Sequence, residues 1–385
     1  MTGFDFQTTN RILFGSGTFD ELPKIAGEFG KRVLLICSSR RKVGANLQGR
    51  LEERGIVVGT FPVSGEPTLE DVMEGVKIAR EVDAHFVIGL GGGSVLDTAK
   101  AVAALATNPG DVLEYLEVIG KGRPLEADPL PVIAVPTTAG TGSEVTRNAV
   151  LGVKAEGIKV SLRSPKMLPA LAIVDPLLTV GLPPDLTAST GMDALTQLIE
   201  PYVSIRANPM VDLFCQAGIV RAARSLKAAY LDGNNISGRE DMAFASLLGG
   251  LALANAGLGA VHGCAAVIGG RYDAPHGAVC ARLLPFVCEL NYRAIFQKDK
   301  QSLFLERYRQ IAVWLTHRND AQPEEGIAWL MGLIIDLKIP DLATYGIVSG
   351  DIPTIVERAQ KASSMKANPV QLTGDQLMGL VHLAL

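Results

Sequence analysis

The first half of the chain alternates two residue patterns, and this alternation limits its possible folds more than any other feature. β-Branched and aliphatic runs predict strands at RVLLIC, IVVGTFPV, AHFVIGL and LPVIAVPT, residues 32–37, 56–63, 84–90 and 130–137. The stretches NLQGRLEERG and LEDVMEGVKIAREVD between the first three have helical spacing. This order predicts a Rossmann-like parallel sheet with helices on its faces. The opening FDFQTTNRILFG, residues 4–15, suggests a short hairpin.

The second half has a different pattern. After LPPDL, residues 182–186, the strand-like runs mostly stop and long Ala- and Leu-rich helical patterns continue to the end. A chain of 385 residues suits about two domains. We predict an α/β dinucleotide-binding domain at 1–180 and an all-helical domain at 181–385.

Composition excludes several classes of function. With 36 basic and 40 acidic residues and no long run of either sign, nucleic acid is not an expected partner. Five cysteines without CxxC spacing argue against a disulfide framework, and the start MTGFDFQTTN does not resemble a signal peptide, so we expect a cytoplasmic protein. Residues 242–270 carry no charge, but they include seven glycines, and we interpret them as two buried helices around a GLG break rather than a membrane span.

Two loops have the character of phosphate-binding turns. In AHFVIGLGGGSVLDTAKAVAAL a strand runs into Gly91, Gly92, Gly93 and Ser94 before a helix, which lets a backbone approach an anion closely. The alternative is an ordinary tight turn, although three consecutive glycines exceed what such a turn needs. PTTAGTGSEVT, residues 136–146, follows another strand and is dense in hydroxyls and glycines. Two such loops at strand ends predict a dinucleotide crevice.

Taken together, these motifs resemble the iron-containing (group III) alcohol dehydrogenase family. The similarity covers FGSGTFDELP, GGGSVLDTAKAVA, PTTAGTGSEVT, TGMDALTQLIE and the VHG and PHG motifs, nearly the whole chain. It implies a dehydroquinate synthase-like fold, a divalent metal in the cleft between a nucleotide-binding and a helical domain, and NAD(P)-linked oxidation of alcohols. It also implies a substrate contact at Asn148. The predicted cofactor residues are Ser38, Gly91, Gly92, Gly93, Ser94, Asp97, Thr137, Thr138, Thr141, Ser143 and Lys159.

The metal positions that the resemblance implies contain one departure. The family binds its ion with an Asp and a His one helical turn apart, a His in an HG motif and a His in PHG; these positions hold Asp193, Gln197, His262 and His276. An amide is a weaker ligand than imidazole for Fe²⁺ or Zn²⁺. Two interpretations stay open: Gln197 is a weak fourth ligand, or the site has kept its shape and lost its ion. A further family histidine is Ala266 here.

The nucleotide preference is predicted from the first strand. It continues as RVLLICSSRRKVG, which places Ser38 where NAD-preferring relatives commonly have an Asp and adds Arg40, Arg41 and Lys42. Loss of the carboxylate and gain of cations favour NADP over NAD. The alternative is that Arg40 and Arg41 are solvated loop charges.

We therefore predict an NAD(P)-dependent oxidoreductase that transfers hydride between nicotinamide and the carbinol carbon of a small alcohol. His262, His276 and Asp193 are the predicted catalytic residues. Three alternatives remain: a metal-independent reductase resembling maleylacetate reductase, a lyase similar to dehydroquinate synthase, and a catalytically inactive nucleotide-binding protein. The resemblance further implies a homodimer or larger homo-oligomer.

Overall fold

The structure is a computed structural model that describes residues 3–39, 43–153 and 156–385. The chain divides into two compact units. An α/β unit comprises Gln7–Thr138 and Gly142–Thr179. A helical unit comprises Val180–Leu385 together with Ala139–Thr141 and residues 3–6.

Eight strands and five helices of the α/β unit fall in the described residues. The strands are β1 (Arg11–Phe14), β2 (Arg32–Ser38), β3 (Val57–Val63), β4 (Phe86–Gly91), β5 (Val132–Pro136), β6 (Asn148–Val153), β7 (Ile158–Arg163) and β8 (Leu171–Val174). The helices are α1 (Leu22–Ala26), α2 (Val43–Glu52), α3 (Leu69–Glu81), α4 (Gly93–Thr107) and α5 (Val112–Tyr115). The four strands and two helices predicted from pattern are confirmed, with shifts of a few residues at their ends.

Six of these strands form one sheet, in the order β1-β8-β5-β4-β2-β3, and all its pairings are parallel. The chain leaves β2 toward β3 on one side and then returns to β4 on the other. The strand order therefore reverses between β2 and β4, and in open α/β sheets ligands bind outside the carboxyl ends of the strands at such a point.

The two faces of the sheet are covered by different helices, because alternate strand residues point to opposite sides. Leu34 and Val87 belong to a core shared with α3 and α4, whereas Leu35 and Ile88 belong to one shared with α1 and α2. At Gly89 a Cβ would lie 2.9 Å from the Ala99 Cβ, so the glycine lets α4 pack directly against β4.

The predicted N-terminal hairpin is wrong. Residues 3–9 form no strand, and β1 pairs in parallel with β8, Arg11 opposite Leu171. The local pattern correctly marked RILF as a strand, but its partner lies far along the chain, where local spacing gives no information. The hairpin of this unit is formed instead by β6 and β7, which pair antiparallel from Asn148–Arg163 to Val153–Ile158.

A buried lysine fastens this hairpin to α4. Lys100 is completely buried, and its Nζ donates to the Ser143 carbonyl and the Thr146 hydroxyl, both at 3.0 Å, and to the Asn148 carbonyl. Asp97 pairs with it at 3.1 Å. Glu144 is also buried, and burial raises its pKa to about 7. These contacts fix the segment that follows β5.

The helical unit contains nine helices in its described residues. They are α6 (Pro184–Tyr202), α7 (Pro209–Leu231), α8 (Ile236–Ala256), α9 (Ala260–Arg271), α10 (His276–Lys298), α11 (Leu303–Thr316), α12 (Pro323–Asp336), α13 (Ile352–Lys361) and α14 (Gly374–Ala384). α6 lies at its centre, with fifteen buried residues along nineteen positions. It packs against α7, α8 and α10.

The uncharged segment 242–270 forms two helices, as predicted. α8 ends at Ala256 and is capped by Gly257, whose φ of 75° favours glycine, and α9 begins at Ala260. Among the described residues no single helix meets the length and apolarity criteria for a membrane span; α8 and α9 meet them together as a pair bent by 101°.

The Lys100 contacts predict a stability effect. Lys100→Met should lower the free energy of unfolding of the α/β unit by about 3 kcal/mol, because it leaves Asp97 and several buried oxygens without their cation. Hydrogen exchange of β6 and β7 amides in urea measures it. Lys77→Met is the matched control, since Lys77 is exposed and pairs with Glu74 at 3.6 Å. Equal effects of the two substitutions would contradict the role assigned to Lys100.

Candidate metal centre and glycine-rich turn

One face of α6 carries three buried polar side chains, Asp193, Gln197 and Glu200. They are spaced four and three residues apart, which places them one above another on the helix. The Gln197 Nε2 donates to the Asp193 Oδ2 at 3.1 Å, while the Gln197 Oε1 is buried without a hydrogen-bond partner among the described residues. This face is therefore not solvated, and its polar groups require partners inside the protein.

Glu200 orients the histidine of the VHG motif on α9. Its Oε2 lies 2.6 Å from the His262 Nδ1, and its Oε1 accepts from the Val261 backbone N–H at 2.7 Å. A carboxylate at Nδ1 holds a proton on that nitrogen and leaves the Nε2 lone pair available. His262 therefore presents Nε2 toward Asp193, whose Oδ1 lies 3.4 Å away.

The PHG motif begins α10 and brings two further donors. His276 is the first residue of that helix, and Cys280 lies one turn later. A Cβ at Gly277 would lie 2.4 Å from the Ser189 carbonyl oxygen and 3.4 Å from the Asp193 Cβ. The glycine therefore allows α10 to approach α6 more closely than any other residue would. That approach places the His276 Nε2 3.8 Å from the Asp193 Oδ1 and 3.6 Å from the Cys280 sulfur.

The four side chains form a group with the chemistry of a metal site. One ligand atom from each of Asp193, His262, His276 and Cys280 lies within 4.8 Å of the others. Among the described residues, the Asp193 Oδ1 and the His262 Nε2 are buried without hydrogen-bond partners. Orphaned buried acceptors are costly, and a divalent cation satisfies an oxygen and an imidazole nitrogen together. The residues present fit a metal.

The same charges determine the protonation of the group. Burial by itself raises the pKa of the Asp193 carboxyl, but the His262 and His276 imidazoles outweigh burial and lower it. Burial lowers the pKa of His262, but Cys280 and Glu200 outweigh that effect and raise it well above its ordinary value. The carboxylates and the imidazoles therefore stabilise each other's charged forms within one buried group.

Sequence reasoning placed Asp193, Gln197, His262 and His276 in one region but gave no role to Cys280 or Glu200. Cys280 has a recognisable signal, the spacing H-x₃-C at a helix start, which puts both ligand atoms on one face. Glu200 shares a helix face with Asp193, but its partner His262 is 62 residues away, and only the folded chain shows the pairing.

In the α/β unit, several predicted cofactor residues lie at the carboxyl ends of three adjacent strands. Ser38 ends β2, Gly91 ends β4, and Thr137 follows β5, with its N–H donating to the Gly91 carbonyl at 2.9 Å. Cys37, Ser38, Val43, Gly44, Leu90 and Thr137 line a shallow depression there. This is the edge at which strand order reverses.

The glycines of the turn between β4 and α4 are required for different structural reasons. A Cβ at Gly91 would lie 2.5 Å from a Val95 methyl, so packing alone requires this glycine. At Gly92, the residue before α4, a Cβ would meet only the Thr138 side chain, at 3.3 and 3.4 Å. The helix begins without a side-chain cap. Gly93 and Ser94 form its first turn, where backbone N–H groups favour an anion.

The other predicted contacts are placed less simply. Asp97 accepts from the Ser143 hydroxyl at 2.6 Å and the Val150 N–H at 2.9 Å. Both of its carboxylate oxygens are therefore engaged by the segment of the chain that follows β5. Lys159 on β7 pairs with Glu66 at 3.1 Å. Asn148 begins β6, and Thr141 belongs to the helical unit. Arg40, Arg41 and Lys42 lie outside the described residues.

Comparison with known proteins identifies the family. The family described as "Iron-containing alcohol dehydrogenase" matches residues 9–176, and "Fe-containing alcohol dehydrogenase family, C-terminal" matches residues 187–385. The chain belongs to this family. The resemblance predicted from the motifs and the two-part fold are thereby confirmed.

Individual relatives agree. The chain is 36% identical over 377 residues to "Alcohol dehydrogenase 4" of Saccharomyces cerevisiae (strain YJM789), covering 96% of each chain. It is 37% identical over 376 residues to "1,3-propanediol dehydrogenase" of Klebsiella pneumoniae, covering 95% of each. A crystal structure of a 1,3-propanediol oxidoreductase superposes over 100% of both chains with a TM-score of 0.92 and 34% identity. The chain is an oxidoreductase that interconverts alcohols and their carbonyl products, and none of the three alternatives is favoured.

The glycine turn generates a test of cofactor binding. Gly92→Ala should weaken binding of the nicotinamide nucleotide at least about tenfold, or 1.4 kcal/mol, because the methyl occupies space near the anion while the fold needs only a small shift of Thr138. Calorimetry with cofactor measures it. Gly49→Ala is the control, since a Cβ at this position in α2 meets nothing within 4 Å. Undiminished cofactor binding by Gly92→Ala would show that the turn is an ordinary strand-to-helix connection.

Proposed function

We propose that this enzyme is a metal-assisted, NADP-preferring alcohol dehydrogenase or aldehyde reductase. One observation carries the metal part: the Asp193 Oδ1 and the His262 Nε2, which lack hydrogen-bond partners among residues 3–39, 43–153 and 156–385, are buried beside the His276 Nε2. Asp193, His262 and His276 would hold a divalent ion, Fe²⁺ or Zn²⁺. Gln197, whose Oε1 has no hydrogen-bond partner among the described residues, is the fourth ligand that the family resemblance suggests, and Cys280 is the alternative to it.

Held by these residues, an ion would supply Lewis acidity toward the alcohol oxygen, and a nicotinamide nucleotide would supply the hydride acceptor or donor. The chain's own residues do the remaining work. Gln197 donates to one oxygen of Asp193 and directs the other toward the histidines. Glu200 keeps a proton on the His262 Nδ1. The His276 side chain is 31% exposed, whereas His262 is buried, so in a metal-free site His276 is the histidine able to exchange a proton with water.

The nucleotide part of the proposal assigns phosphate contacts to Gly91, Gly92, Gly93, Ser94 and the hydroxyls of Thr137, Thr138, Thr141 and Ser143, with Asp97 and Lys159 as further contacts. Its support is the position of the glycine turn where strand order reverses. Ser38 is proposed to face the ribose that carries the 2′-phosphate, and Asn148 the substrate.

We also propose two domains, 1–180 and 181–385, a cytoplasmic location and a homodimer or larger assembly. The division of the backbone near residue 180 supports the first. Five free cysteines, four of them buried, support a reducing compartment. The assembly rests on the family resemblance.

Removing the metal tests the central proposal. Treatment with a strong chelator should abolish alcohol-dependent reduction of NADP⁺, and added Fe²⁺ or Zn²⁺ should restore it. Asp193→Ala should reduce metal content of the purified protein to background, because Asp193 is the anionic member of the proposed set Asp193, His262 and His276. Asp185→Ala, an exposed carboxylate in the first turn of α6, is the control and should keep its metal. A metal-free sample with full activity would instead leave His262 or His276 as the proton donor.

Nucleotide preference has its own test. Ser38→Asp should shift selectivity from NADP toward NAD by on the order of 1–3 kcal/mol, because a carboxylate repels the 2′-phosphate and accepts from ribose hydroxyls. The ratio of kcat/KM for NADPH and NADH measures the shift. Ser39→Asp adds the same charge at the exposed neighbouring position and should have a smaller effect. Wild-type preference for NADH would show that the assignment is wrong.

A further inference from the structure

Cys280 lies where a metal held by Asp193, His262 and His276 could reach it. Its sulfur is 3.6 Å from the His276 Nε2, and it belongs to the group whose ligand atoms lie within 4.8 Å of one another. We propose that the Cys280 thiolate, and not the Gln197 amide, is the fourth protein ligand of the metal, and that the site consequently prefers Zn²⁺ to Fe²⁺. This inference rests on the metal proposed above.

The distances suit a shared ion. Zinc bonds of about 2.0 Å to nitrogen or oxygen and about 2.3 Å to sulfur place neighbouring tetrahedral ligands roughly 3.3–3.5 Å apart. The separations here are 3.4 Å from Asp193 to His262, 3.8 Å from Asp193 to His276 and 3.6 Å from His276 to Cys280. The other three separations in the group lie within 4.8 Å.

The position of Cys280 on α10 and the burial of its side chain hold the sulfur at the site. His276 and Cys280 are one turn apart at the start of α10, so both face α6. Cys280 is fully buried, and the Asp193 Oδ1 and His262 Nε2 are buried and unpartnered among the described residues. The cysteine is therefore part of a group in which two other members lack partners.

The amide competes poorly for the same place. The Gln197 Nε2 donates a hydrogen bond to Asp193, and the Gln197 amide oxygen is a hard, neutral metal ligand. A thiolate is anionic and soft, and such ligands favour zinc. The Cys280 thiol gives its proton to solvent as the metal–sulfur bond forms, and no electron is transferred. Gln197 then acts as a positioning residue for Asp193.

Cobalt(II) reports sulfur ligation directly. The metal-free protein is titrated with Co²⁺, whose visible bands count bound ions and whose near-ultraviolet sulfur-to-cobalt charge-transfer band appears only with a thiolate ligand. We expect both features in the wild-type protein. Cys280→Ser should lose the charge-transfer band and keep visible bands. Cys288→Ser is the control, because Cys288 is buried on the same helix outside the group and should change neither feature.

Zinc affinity gives a second readout. Cys280→Ser should weaken Zn²⁺ binding at least about tenfold in chelator competition. Mutating a residue that only hydrogen-bonds to a metal ligand typically lowers metal affinity about 10–100-fold, and loss of a ligand should lower it at least as much. Its effect on Fe²⁺ affinity should be smaller. The double variant Cys280→Ser with Gln197→His supplies the family's imidazole and should recover zinc affinity without the charge-transfer band.

Each other outcome overturns the inference in a distinguishable way. Visible cobalt bands without a charge-transfer band in the wild type show a metal site without sulfur; the proposed function then stands and Gln197 is the remaining candidate. A charge-transfer band that survives in Cys280→Ser assigns the sulfur to another cysteine. If neither Co²⁺ nor Zn²⁺ binds the wild-type protein, the metal in the proposed function fails as well.

Discussion

The close contact between α10 and α6 at Gly277 is the constraint on which the candidate site depends. With 2.4 Å between an added Cβ and the Ser189 carbonyl, no side chain fits there. The two helices therefore meet backbone to backbone, and His276 and Cys280 come within reach of Asp193 without long, flexible side chains. Ligands held by packed helices keep their geometry, which is what a catalytic ion requires of its protein.

Burial gives this arrangement its second property. Asp193, His262 and Glu200 are each at most 5% exposed, so their charges are poorly screened and each must be matched inside the protein. Glu200 is matched by the His262 Nδ1 and the Val261 N–H. Asp193 Oδ1 has no such match among the described residues. The Glu200 carboxylate thus has its partners within the protein, whereas the Asp193 carboxylate offers one oxygen to a cation.

The sequence predicts what local spacing controls. The strands β2 to β5, the helix carrying Asp193 and the break at Gly257 all follow from residue patterns a few positions long. The pairing of β1 with β8 does not, because its partners are separated by most of the α/β unit. Cys280 shows a third case. Its spacing from His276 is visible in the sequence, but its relevance arises only when α6 supplies Asp193 beside it.

The exchange of imidazole for amide on α6 and the thiol on α10 are linked by charge. A divalent ion bound by one carboxylate and three neutral imidazoles keeps one net positive charge, whereas Asp193 together with a Cys280 thiolate cancels both charges of the ion. Such an ion polarises an alcohol oxygen less strongly, since electrostatic stabilisation of developing negative charge scales with the local positive charge. The combination of Gln197 and Cys280 would therefore lower the Lewis acidity of the ion relative to a site with one carboxylate and three imidazoles.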